Sequence, residues 1–222
     1  MRALCGTFVA SGLTGAPACW AQEKAWDFSY NLGASSDYVF RGVSQTEDEL
    51  AVQGGIDATD GFAYVGGWVS NVSFPGDNDT NAEIDIYGGV KPNLGDWTLD
   101  IGAIGYFYTG QPNGADYDYV EGKLGASRAF GPVTIGAAVF WSPDFFGAED
   151  DATYVVADAL TLSAQVGRQW VSSAFDYTHW SFGATYAFND VVGVDLRFHD
   201  TDQHSFGSIY EERLVASFKA GF

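Results

Sequence analysis

From Trp26 onward, apolar side chains recur at every second position, the period of a strand with one apolar and one polar face. Trp26, Phe28, Tyr30, Leu32 and Ala34 alternate with Asp27, Ser29, Asn31, Gly33 and Ser35. The phase continues through Tyr38 and Phe40, with Asp37 and Arg41 on the other face. Eleven further segments repeat the pattern. Their apolar faces are Leu50/Val52/Ile56, Phe62/Tyr64/Trp68, Ile84/Ile86/Val90, Leu99/Ile101/Ala103/Phe107, Val120/Leu124/Ala126 and Val133/Ile135/Ala137/Val139. The rest are Thr153/Val155/Ala157, the weakest, then Leu160/Leu162/Ala164/Val166, Trp180/Phe182/Ala184/Tyr186, Val192/Val194/Leu196/Phe198 and Leu214/Ala216/Phe218/Ala220/Phe222. The pattern predicts twelve strands, and no apolar stripe of helical period competes.

The connections alternate between short and long. Short ones carry turn chemistry at Asp60-Gly61, Pro92–Gly95, Gly131-Pro132, Asp158-Ala159 and Asn189-Asp190. Long ones lie near 43–49, 71–81, 110–116, 142–151, 168–176 and 200–208. Pro75, Pro92, Pro112, Pro132 and Pro143 all fall in connections, as they must if every strand interior donates ladder hydrogen bonds.

A soluble sandwich alternates as well, with its apolar face inward. Four features favour a membrane barrel instead. Short turns at one end and long loops at the other match short periplasmic turns and longer external loops. The strand count is even. Trp26, Trp68, Trp97, Trp141 and Trp180 sit near strand ends, where aromatic girdles meet lipid headgroups. The chain also ends on Phe222, in phase with Phe218, like bacterial outer-membrane proteins. The expected fold is therefore all-β: a single antiparallel transmembrane barrel of about 12 strands.

Composition and charge narrow the function. The 222 residues hold 10 Lys and Arg against 29 Asp and Glu, a net charge of −19, which argues against nucleic acid as a partner. No run of 18 apolar residues exists to form a membrane helix. Residues 1–21 read as a cleaved secretory signal peptide: Arg2, a stretch of apolar and small residues, then Cys19-Trp20-Ala21 before a cut at Gln22. Residues 22–222 then form the barrel, without Cys5 and Cys19 and so without disulfide or thiol chemistry.

Two stretches carry a family resemblance. Ser36-Asp37-Tyr38-Val39-Phe40-Arg41-Gly42-Val43-Ser44-Gln45-Thr46 and Ala51-Val52-Gln53-Gly54-Gly55-Ile56-Asp57 resemble the opening of the TorF family of porin-like proteins, also known as Gcw_chp. Residues 66–72 (Gly-Gly-Trp-Val-Ser-Asn-Val) and 83–89 (Glu-Ile-Asp-Ile-Tyr-Gly-Gly) fit the same pattern. The resemblance implies a proteobacterial outer-membrane barrel and names no substrate.

Candidate chemistry is sparse. No nucleophile elbow, phosphate loop or zinc-spaced Cys/His set is present, so the chain reads as no enzyme, with no catalytic, metal or cofactor site. His199–His204 and Asp77–Glu83 read as solvated loops rather than metal sites. The polar face carries the information. Phase places Arg41, Lys91, Lys123, Arg197, Arg213 and Lys219 in the lumen, with Asp27, Asp37, Asp57, Glu83, Asp85, Asp100, Glu121, Asp195 and Glu211. The best pore-lining candidates are Arg41, Asp37, Asp57, Glu83, Asp85, Lys91, Asp100, Glu121, Lys123, Asp195, Arg197, Glu211 and Arg213. They either line a narrow aqueous pore or pair across a closed interior; twelve strands lie between the filled eight-stranded barrel and the wide channel of 16–18, and no segment is long enough for a plug domain. The expected function is a passive, cation-preferring channel for small hydrophilic solutes or ions, set in outer-membrane lipid. The alternative is a closed-lumen barrel with a structural or adhesive role through its acidic loops, and the oligomeric state is left open.

Overall fold

The alternating segments fold as strands because each can satisfy its backbone only through neighbours while showing one face to each side of the sheet. The computed structural model describes residues 25–131, 133–147, 152–159, 164–172 and 175–222. Twelve long strands run through them: β1 (Asp27–Ser35), β2 (Ala51–Thr59), β3 (Ala63–Asn71), β4 (Ala82–Val90), β5 (Trp97–Thr109), β6 (Tyr119–Phe130), β7 (Val133–Ser142), β8 (Ala152–Ala159), β9 (Ala164–Trp170), β10 (Tyr177–Ala187), β11 (Val192–Thr201) and β12 (Arg213–Gly221). Each pairs antiparallel with the next. β12 also pairs with β1 through Leu32↔Ala220 and Ala34↔Phe218, so every strand has two neighbours and the sheet closes into a barrel. The weak eighth segment is a full strand, bonded on both sides.

Among the described residues, most side chains that point outward are apolar and exposed. Phe28 is 63% exposed, Leu32 61% and Leu124 59%, and Ile56, Ile86, Ile101, Val139 and Leu196 continue the belt. Two tryptophan rings edge it. Trp26 and Trp97 lie at the end with short turns, and Trp141, Trp170 and Trp180 at the end with long loops. The buried residues lie inside the barrel, and many are polar: Asp37, Arg41, Glu83, Glu121, Gln169 and His179 among them.

Four expectations need correction. In β3 the phase is reversed: Val65 and Val69 face out, while Tyr64 and Trp68 turn inward, where the Tyr64 hydroxyl donates to Asp100 and Trp68 packs against Tyr38. Pairing sets this, since Val69 lies opposite Ile84 and directly paired residues share a face. Gly66 and Gly67 mark neither face, so the rings alone misdirect the reading. β1 ends at Ser35, and Tyr38 and Phe40 belong to a separate hairpin pairing Val39-Phe40 with Val43-Ser44. Asp158 and Ala159 lie within β8 rather than in the turn that follows it, because Asp158 pairs with Gln165 and Ala159 with Ala164. Glu211 precedes β12, exposed in the last long connection, so it does not face the lumen. The signal peptide (Met1–Ala21), Leu160, Leu162 and the loop acids Glu149, Asp150 and Asp151 lie outside the described residues.

Candidate functional site

The connection between β1 and β2, residues 36–50, folds into the loop-side half of the lumen. Its tip is Arg41-Gly42, with φ of 50° and 85°. A two-residue hairpin whose twist matches its strands needs positive φ at both central positions. Gly42 also has no room for a side chain: a Cβ there would lie 2.5 Å from that of His179. The base is tied by Asp37, which accepts from Ser44 Oγ at 2.7 Å and Thr46 Oγ1 at 2.8 Å, while the Tyr38 N–H donates to Thr46 Oγ1.

Four walls of the barrel hold this hairpin. Arg41 donates to both carboxylate oxygens of Glu121 on β6, at 2.9 and 2.5 Å, and to Gln169 Oε1 on β9 at 2.8 Å. Its guanidinium lies 4.6 Å from the Phe40 ring and 5.2 Å from that of Phe140, and Tyr106 donates to Glu121. On β12, Arg213 bridges Asp37 at 3.0 Å and Asp48 at 2.6 Å; on β4, Glu83 accepts from Tyr38 at 3.0 Å. A left-handed non-glycine residue such as Arg41 costs about 1–2 kcal/mol. Each charge-assisted hydrogen bond returns about 1.5–3 kcal/mol, so the grip outweighs the strain. Asp37 and Arg41, placed by phase on one inward face, are held by different strands.

The turn-side half is different. A cavity of about 350 Å³ opens there, lined by Asp57, Tyr64, Tyr87, Lys91, Asp100 and Lys123. Lys123 pairs with Asp100 at 2.7 Å, Tyr87 donates to Asp57 at 2.6 Å, and Lys91 Nζ sits 4.7 Å over the Tyr64 ring. Asp195 and Arg197 pair at 3.1 Å nearer β11's start. Asp85 is inward and half-buried beside Glu83, whereas Asp27 and Lys219 are exposed at the turn-side rim. Of the candidates, then, Arg41, Asp37, Glu83, Glu121 and Arg213 converge on the hairpin, and Asp57, Lys91, Asp100 and Lys123 on the chamber below. Gln169, Tyr106 and His179 complete the grip and escaped the sequence reading. Their signal in the sequence is a neutral polar side chain at inward phase, which carries no charge to set it apart.

A hydrogen bond from the Thr80 hydroxyl holds the Asp77 carboxyl below its ordinary range, and one with Asp200 raises His204. Asp200, His204 and Glu212 bring ligand atoms within 4.8 Å of one another, outside the lumen, while His199, within β11, points into it, so the two histidines share no site.

The profile of a family described as bacterial protein of unknown function (Gcw_chp) matches residues 21–221. The chain belongs to the Gcw_chp family. Comparison with curated proteins finds no match. Among solved structures, this Gcw_chp chain is similar to the COG4313 outer membrane channel from Pseudomonas putida F1, at 10% identity and a TM-score of 0.48, over 94% of this chain and 100% of that one. It is also similar to a loop-deleted OmpT, an outer membrane protein of Vibrio cholerae (11%, 0.45, 89% and 99%), and to Acinetobacter baumannii outer membrane protein Omp33 (14%, 0.41, 90% and 99%).

Proposed function

We propose that this Gcw_chp chain is a narrow outer-membrane channel for small hydrophilic solutes or ions, exported with a cleaved signal and constricted by the hairpin 36–50. The observation that carries the reading is the two-sided wall: among the described residues, a largely apolar outer face and a charged inner one. Each exposed Leu, Ile, Val or Phe gains about 1.5–3 kcal/mol on leaving water, so a belt of this size calls for lipid. Strands of about 9–11 residues span a bilayer when tilted, and most of the twelve have that length. The opening motif supports a place in the TorF branch of the family.

Cations are the preferred passengers. Glu47, Asp48, Glu49, Asp77 and Asp79 crowd the connections on the loop side and raise the local cation concentration. The reading involves no chemical step. A second reading, a sealed barrel with a structural or adhesive role, is favoured by the burial of residues 41–46, which fill the loop-side lumen. Single-channel recording in planar bilayers separates the two. Small, cation-selective steps support the channel; a silent, correctly folded barrel that stays silent when residues 38–46 are replaced by a short glycine-serine linker overturns it.

A further inference from the structure

Above the hairpin, on the loop side, lies a second cavity of about 370 Å³. Its floor is the outer face of the hairpin, at Phe40 and Val43, and its walls include the rings of Phe74, Phe146, Phe175 and Tyr210 from four other connections. The cavity has the size and the largely apolar character of a small-molecule site. It lies beyond the tryptophan-edged belt, so its aromatic lining is not part of the lipid-facing surface.

Two features argue that the rings are arranged around something. The backbone of Phe146 is left-handed, at φ 55° and ψ 37°, a strained state for a bulky residue. It is held there by ring contacts with Phe74 at 6.0 Å, Tyr108 at 5.2 Å and Phe145 at 5.4 Å. Phe74 and Phe145 line the cavity with it. The second feature is charge. The connections that supply the lining also carry Glu47, Asp77 and Asp176, besides the Asp48 that pairs with Arg213, and contain no lysine. Their one arginine, Arg41, is directed away, into Glu121. Aromatic faces are the negative ends of ring quadrupoles and attract a cation with a poorly hydrated body, as cages for quaternary ammonium groups do. The lining offers an anion no cationic side chain.

We propose that this cavity is a binding site for small organic cations of the quaternary ammonium class, with the cationic head among the rings and the surrounding carboxylates adding long-range attraction. Because Phe40 and Val43 form its floor, an occupant rests directly on the hairpin that fills the lumen. The site does not depend on conduction, and its test does not either.

The test is calorimetric titration of the folded, full-length barrel in uncharged detergent, with benzyltrimethylammonium as the probe, phenylacetate as its anionic counterpart, and barrel-free micelles as the blank. Saturable binding of the cation is expected, with phenylacetate weaker by about tenfold or more. Phe175→Ala and Phe146→Leu should each weaken cation binding by about three- to tenfold, the share of one cation–π contact. Phe175 is 61% exposed at the rim, so its removal leaves the barrel intact even if Phe146→Leu fails to fold. No saturable heat at up to about 10 mM, a range in which contacts of this strength register, overturns the site. So does equal binding of phenylacetate, or undiminished binding in the Phe175→Ala barrel.

Discussion

Arg41 and Glu121 meet two-on-two, both arms of the guanidinium on both oxygens of the carboxylate, across 80 residues of chain. The pair is almost wholly buried, at 5% and 1% exposure of the two side chains. Removing one member strands the other's charge inside the barrel, a penalty of about 3–5 kcal/mol. Arg41→Ala should therefore release the hairpin and raise single-channel conductance while the barrel still assembles. Arg41→Lys, which keeps the charge but cannot grip at two points, should fall between. Unchanged conductance in both variants would show that the pair does not hold the constriction.

Gly42→Ala should reproduce that release with no change of charge. The residue sits at φ 85°, and the new methyl carbon would lie 2.5 Å from Cβ of His179. Left-handed backbone costs alanine about 1 kcal/mol before any clash is counted. Raised conductance with selectivity preserved is the expected recording.

Facing can be tested at neighbouring positions of β6. Leu124 lies in mid-strand on the outer face, and Ser127 points inward. Leu124→Arg should impair insertion, since arginine at mid-depth in lipid costs about 2–4 kcal/mol, whereas Ser127→Arg should insert normally. Yields of folded, heat-modifiable barrel in lipid vesicles compare the two; equal yields would contradict the assigned phase.

Selectivity should depend on salt. Reversal potentials under a gradient at low ionic strength are expected to favour cations. At about 1 M salt the Debye length is near 3 Å, too short for the loop carboxylates to act on the pathway, and the preference should fade.

The pH dependence of the last long connection follows from His204. Its hydrogen bond to Asp200, 2.7 Å long, raises the imidazole's affinity for its proton above that in the unfolded chain. The stabilisation is complete below the ordinary histidine value and is lost as pH rises through the raised one. Asp200→Asn should return the ring's titration, followed by NMR, towards its ordinary midpoint.

The strand rhythm was legible because a barrel wall repeats a period of two, and the alternation of short and long connections placed its ends. Where glycines fill both faces, as at Gly66-Gly67, the period is blank, and only pairing with β2 and β4 decides which way Tyr64 and Trp68 turn. The hairpin was hidden for another reason. Tyr38, Phe40 and Arg41 keep the alternation of β1, yet the positive φ of Arg41 and Gly42 and the grip of Glu121 and Gln169 reverse the chain. Those partners lie 80 and 128 residues away, beyond any local pattern.

The Arg213–Asp37 bridge imposes an order on assembly. Asp37 follows the first strand and Arg213 opens the last, 176 residues later. The two come within reach only where β1 and β12 form the seam. That clamp therefore engages only once the first and last strands have paired, and it ties the hairpin across the seam.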